Sequence, residues 1–150
     1  MIFDDVSVKV LKHFQFQRGM ASSHTQRVIF LACGSFNPPT IMHLRLFELA
    51  KDHFRRHQPQ STVLGGIMSP THDAYGKSSL IPSGHRVTMA KLAVSQSPFI
   101  TVSDWEVNQE GWSRTRNVLD QYSRIAIEGS ADWLPNLGSE KQVLIYTSFS

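Results

Sequence analysis

Residues 28–33, Val-Ile-Phe-Leu-Ala-Cys, form an unbroken apolar run that opens on two β-branched residues, and it limits the fold more tightly than any other stretch. Six apolar residues without alternation suit a strand covered on both faces, as in a parallel sheet with helices above and below. The run ends at Gly34, where the backbone can turn sharply, and Pro38-Pro39 hold the following loop out of helix. Thr40 suits the N-cap of a helix that starts directly after it. His43 then falls in the first turn, beside unpaired N–H groups and the positive end of the helix dipole. A small-residue loop, a helix N-terminus and an imidazole in one crevice outline a phosphate site.

The pattern recurs downstream. Leu44, Phe47, Leu49, Ala50 and Phe54 follow helical spacing, alternating with Arg45, Glu48, Lys51 and Asp52, and Pro59 closes the segment. His53 and His57 lie four apart, but without a third ligand nearby a solvated helix face is the better reading. Residues 61–68 read as a second strand weakened by Gly65-Gly66, where a ligand or another backbone approaches closely. Residues 69–82 are polar, with Gly76, Pro70 and Pro82, and form a loop at that strand's carboxyl end, where open α/β sheets bind ligands. Ser83 is the expected N-cap of a helix over 84–95 with Val87, Ala90 and Val94 inward. Residues 99–103 are a third strand, and residues 142–147 suit a fourth. Trp105 is expected in the core, and Trp112 shares helical spacing with Thr115, Leu119 and Tyr122.

Three of these segments carry a resemblance. Gly-Ser-Phe-Asn-Pro-Pro-Thr-Ile-Met-His, residues 34–43, resembles the nucleotidyltransferase motif G-x-F-x-P-x-H/T-x-x-H. Its form is most similar to that of the eukaryotic nicotinamide mononucleotide (NMN) adenylyltransferases, with Thr40 at the first His position. Ser-Pro-Thr-His-Asp-Ala-Tyr, residues 69–75, and Leu-Ile-Pro, residues 80–82, match a second segment of that family. Of the lysine cluster between them only Lys77 is kept, so this loop attracts phosphate less strongly. The third match is Trp105-Glu106 followed by Trp112-x-x-Thr115. The His85-Arg86 pair also matches, with Arg86 open to either a structural role or a direct ligand contact.

The resemblance implies an α/β, Rossmann-like nucleotidyltransferase fold: a parallel sheet of three to four strands with crossover helices. It implies transfer of the adenylyl group of ATP to NMN, giving NAD and pyrophosphate, with Mg2+ accompanying ATP and no dedicated protein metal site. Carried over residue by residue, His43 is the catalytic candidate. Gly34, Ser35, Phe36, His43 and Lys77 are the ATP and phosphate contacts. Gly34, Ser35, Tyr75, Trp112 and Thr115 are the NMN or NAD contacts, with Trp112 stacked on the nicotinamide ring. The likeness covers residues 27–124, the amino-terminal half of a family member's catalytic domain. Residues 1–26 read as an appended, partly disordered leader, and residues 125–150 as a divergent tail in which Ser130-Ala131-Asp132 faintly echoes the family's Gly-Ala-Asp. A domain truncated at its carboxyl end is expected to be a weak catalyst with an uncovered sheet edge, prone to self-association.

Composition supports this reading without specifying it. A chain of 150 residues with 41% hydrophobic content suits one globular domain. The net charge of +3 is scattered, which favours small anions over nucleic acid. The single cysteine, Cys33, excludes an internal disulfide framework and fits a reducing, intracellular setting, in nucleus, cytoplasm or mitochondrion. No apolar run is long enough to span a membrane. Two other functions stay open: an adenylyl- or cytidylyltransferase acting on another phosphate acceptor, and a non-catalytic module that binds nucleotide or protein.

Overall fold

The computed structural model describes residues 27–128 and 143–148; the expectations for the leader and for the Ser130-Ala131-Asp132 echo lie outside the described residues. Strand β1 (Arg27–Gly34) leads to helix α1 (Ile41–His57), then β2 (Thr62–Pro70), α2 (Ser83–Ala93), β3 (Ile100–Val102), α3 (Thr115–Glu128) and β4 (Val143–Ser148). Single 3-10 turns sit at Asp73–Tyr75 and Glu106–Asn108. All strand pairs are parallel and the sheet order is β3-β2-β1-β4. The fold is therefore the α/β, Rossmann-type arrangement expected, and the fourth strand forms where residues 142–147 suggested one.

β1 is central because its side chains feed two cores. Val28, Phe30 and Ala32 pack with Phe47, Ala50 and Phe54 of α1 and Ala90 of α2 on one face. Ile29 and Leu31 pack with Ile67, Val118 and Tyr122 on the other, under α3. That two-sided burial is why the run lacks a polar alternate. Chain order runs from β1 outward to β2 and β3, then returns to β1's other side with β4. The crevice beyond the carboxyl end of β1 is thus the switch point at which such sheets bind ligands.

Several local expectations change. Gly66 does accommodate a close approach, but the visitor is the Phe47 ring of α1: a Cβ at Gly66 would stand 2.3 Å from Phe47 Cδ1. Pro82, not Ser83, is the N-cap of α2, and the helix ends at Ala93 with Val94 as its C-cap. Proline at a helix entry costs no hydrogen bond. The Ser83 hydroxyl instead donates to Asp73 Oδ2 across 3.0 Å. Trp112 precedes α3, so its helical spacing with Thr115, Leu119 and Tyr122 is coincidental. Trp105 is half-buried and packs edge-on against Tyr122, in line with the core role expected of it.

Candidate active site

The carboxyl end of β1, the 34–40 loop and the start of α1 form one wall of a cavity of about 590 Å³. The facing wall comes from the loop after β2 and from the segment that follows β3, including Glu106 and Trp112. The first wall is built around the entry to α1. Thr40 is extended and caps the helix, and His43, at its third position, reaches back to the cap. The Thr40 backbone N–H donates to His43 Nδ1 across 2.8 Å, and the Thr40 hydroxyl lies 3.0 Å from the same nitrogen. This is the reciprocal half of a capping box, with imidazole in the place usually held by Glu or Gln. Because Nδ1 is an acceptor, the neutral ring carries its proton on Nε2. Burial holds the His43 pKa below its ordinary value. No acidic residue occupies the first turn of α1, which leaves the positive end of its dipole to an anion.

The loop is held from behind. Arg86 is fully buried and donates from Nη1 to the Ser35 carbonyl (2.9 Å), from Nη2 to the Thr71 carbonyl (2.7 Å) and Asp73 Oδ1 (2.8 Å), and from Nε to the Ile81 carbonyl (2.6 Å). With its donors engaged by protein, Arg86 positions the two walls and the structural alternative is the one observed. Asn37 adds a second tie: its amide donates to the Ser79 carbonyl and its Oδ1 accepts from the Ile81 N–H. Nothing in the spacing of the sequence announced that clamp.

The structure brings Gly34, Ser35, Phe36, His43, Tyr75, Lys77 and Trp112 to this one cavity. Phe36 lines the cavity and also braces it. Its side chain is buried in the core and meets the His43 ring edge-on at 5.1 Å. With φ at 44°, an unusual left-handed conformation for phenylalanine, its backbone turns the loop while its ring braces the imidazole. Tyr75 and Trp112 are half-exposed, and their rings stand 5.9 Å apart across the far wall. Gly76 follows Tyr75 at φ 83°, a left-handed conformation that glycine adopts without strain. Thr115 opens α3, and its side chain lies outside the described residues.

Two further cavity residues were not singled out from sequence. Glu106 is buried, and the Ser69 hydroxyl donates to its Oε2 (3.0 Å) while Tyr122 donates to Ser69 (2.8 Å). Burial raises the Glu106 pKa to about 7, against the opposing effects of Ser69 and the Arg86 charge. Thr71 is the other. A paired Trp-Glu after a strand was the only available signal for Glu106, and Thr71 gave none. Burial also pushes the Cys33 thiol well above its usual range, with the Glu106 charge adding to it, so Cys33 stays a neutral wall group. His53 and His57 stack edge-on at 4.3 Å on α1, and among the described residues no three His, Cys, Asp or Glu groups gather to hold a metal. Among the described residues no helix is long and apolar enough to cross a membrane.

A profile of the cytidylyltransferase-like family matches residues 31–146, which takes in both walls of the cavity and most of β4. The chain belongs to the cytidylyltransferase-like family. Within it, 96 residues are 54% identical to a nicotinamide-nucleotide adenylyltransferase of Drosophila melanogaster, covering 64% of this chain and 24% of that protein. A nicotinamide/nicotinic acid mononucleotide adenylyltransferase of Oryza sativa subsp. japonica is 47% identical over 117 residues, 78% of this chain and 45% of the relative. A zebrafish (Danio rerio) nicotinamide/nicotinic acid mononucleotide adenylyltransferase 2 is 45% identical over 103 residues, 69% of this chain and 34% of the relative. The chain thus spans less than half the length of these curated relatives. The likeness to adenylyltransferases seen in three motifs extends through the cytidylyltransferase-like fold that joins them.

Proposed function

We propose that this site binds ATP and NMN and transfers the adenylyl group between them, forming NAD and pyrophosphate. The observation that carries the reading is an opposition across one cavity: the His43 entry to α1 on one side, the Tyr75–Trp112 rings on the other. The first suits phosphate and the second a flat heteroaromatic ring. In the reaction, an oxygen of the NMN phosphate attacks the α-phosphorus of ATP. A new P–O bond forms, the α–β P–O bond breaks, and pyrophosphate departs in line. No side-chain nucleophile is needed, so the protein's work is alignment and charge neutralisation. His43 Nε2–H and the first N–H groups of α1 hold phosphate oxygens, and Lys77 adds a positive charge at the rim. Mg2+ enters with the triphosphate as part of the substrate. The names of the relatives support this acceptor.

The test is a pair of titrations with the Trp112→Ala variant. Trp112 is 46% exposed, so its loss leaves the core intact. NMN affinity should fall by about 5- to 100-fold, equivalent to roughly 1–3 kcal/mol of lost stacking and burial, with ATP affinity nearly unchanged. An equal loss for both ligands would give Trp112 a structural role. NAD formation from ATP and NMN, set against CTP and other phosphate acceptors, tests the reaction itself.

A further inference from the structure

His53 and His57 stand one turn apart on α1, with ring centroids 4.3 Å apart and ring planes at 83°. His53 is half-buried beside Phe54, and His57 is exposed at the last position of the helix. Histidines four apart share a helix face, the spacing at which two imidazoles take one metal ion. Spacing alone favoured a solvated face, and the ring separation changes that reading. With metal–nitrogen bonds of about 2.0 Å, two imidazoles at a right angle on one ion have centroids roughly 4.5 Å apart, and at a tetrahedral angle roughly 5.2 Å. The observed separation suits the right-angled pair. Turning a ring about its broad χ2 then aims one nitrogen from each at a shared point. The Gln58 N–H donates to the Phe54 carbonyl across 2.8 Å, which closes the last turn and fixes the two histidines one above the other.

The surroundings admit a cation. His57 lies at the negative end of the helix dipole. Arg55 is committed to Asp52 across 2.6 Å, which leaves Arg56 as the opposing charge of the last turn. Among the described residues no third His, Cys, Asp or Glu joins the pair, so the result is an open chelate with water at its other positions, not a closed cage. A right-angled nitrogen pair suits tetragonal Cu2+ or Ni2+ better than tetrahedral Zn2+, and divalent ions on nitrogen ligands bind in an order that puts Cu2+ first. We propose that His53 and His57 form a surface site for Cu2+ at the carboxyl end of α1. His43 stands at the other end of the same helix, roughly 15–20 Å away, so the site is separate from the cavity.

Calorimetric titration of the whole chain with Cu2+, joined to electron paramagnetic resonance at one equivalent, tests the inference. The tightest site of the parent should show two nitrogen ligands and prefer Cu2+ to Ni2+ and Zn2+. His57→Gln, at an exposed helix end, should weaken that site about 10- to 100-fold and remove one nitrogen from the spectrum. ATP–Mg2+ affinity in this variant should stay within twofold of the parent. His53→Gln should repeat the copper loss; because its ring is half-buried, His57→Gln serves alone if that variant does not fold. His85→Gln, which removes an exposed imidazole of α2, should leave the copper site unchanged. An unchanged affinity and spectrum in His57→Gln, or an equal loss in His85→Gln, overturns the inference. So does a tightest site that prefers Zn2+ to Cu2+.

Discussion

The backbone N–H of Thr40 donates to Nδ1 of His43 across 2.8 Å, and that bond decides which nitrogen faces a ligand. An acceptor Nδ1 makes Nε2 the donor, and protonating Nδ1 would break the cap of α1. The imidazole is thus built into the helix entry and, under the proposed function, would meet phosphate as a neutral donor.

It follows that His43→Ala should lose most of the thermal protection that ATP–Mg2+ gives the parent chain. The unliganded protein should lose about 0.5–1 kcal/mol with its cap bond. Because the folded pKa lies below the unfolded 6.5, the neutral ring's contribution is complete above pH 6.5 and fades as pH falls toward the folded value. NMR titration of the His43 ring against the parent's melting temperature would show this. Equal protection by ATP in the variant would remove His43 from the phosphate site.

Arg86 gives a second expectation. Its guanidinium joins the Ser35, Thr71 and Ile81 carbonyls and Asp73 in one planar bracket. Lysine has one charged nitrogen and cannot span those directions. Arg86→Lys should cost about 2–4 kcal/mol in urea denaturation and also weaken ATP and NMN, since both walls hang from it. A variant as stable as the parent would mean the bracket is dispensable.

What the sequence disclosed depended on whether the signal was local. The β1 run, the loop and the Thr40–His43 cap lie within a few residues of each other, and their physics is read in one window. The role of Arg86 is set by partners 51 and 15 residues away, so spacing alone left it open between structure and ligand. Thr71 and Glu106 were missed for the same reason: an orphan hydroxyl and a buried carboxyl are properties of tertiary surroundings. Phe36 was read as a ligand contact from its motif; that its ring also packs in the core and against His43 depends on tertiary partners that spacing did not show.

The contact between Gly66 and Phe47 predicts a strong, rescuable defect. Gly66→Ala would press a methyl against the ring of Phe47, at 2.3 Å from Cδ1, in the middle of the sheet. The expected cost is about 2–4 kcal/mol. Adding Phe47→Leu should recover part of it, so that the double variant is more stable than the sum of the two singles. Additive losses in denaturant titration would show that the helix relaxes away from the strand instead.

Glu106 supplies a pH signature of opposite sign to that of His43. Its pKa rises from 4.5 to about 7 in the folded chain, chiefly through burial. Between those values the unfolded chain has released the proton while the folded chain retains it. Folding stability from this group is therefore greatest below pH 4.5, declines through the window, and is lowest above pH 7. Glu106→Gln keeps an acceptor for Ser69 and removes the titration. Its stability relative to the parent should rise by up to roughly 3 kcal/mol between pH 4.5 and 8, most of it between pH 5 and 7. Comparing the two chains cancels the histidines and exposed carboxyls they share. Urea titrations across that range measure the difference directly. A difference that stays flat with pH would mean that water reaches Glu106 freely in the folded chain, and its carboxylate would then hold no special place on the cavity wall.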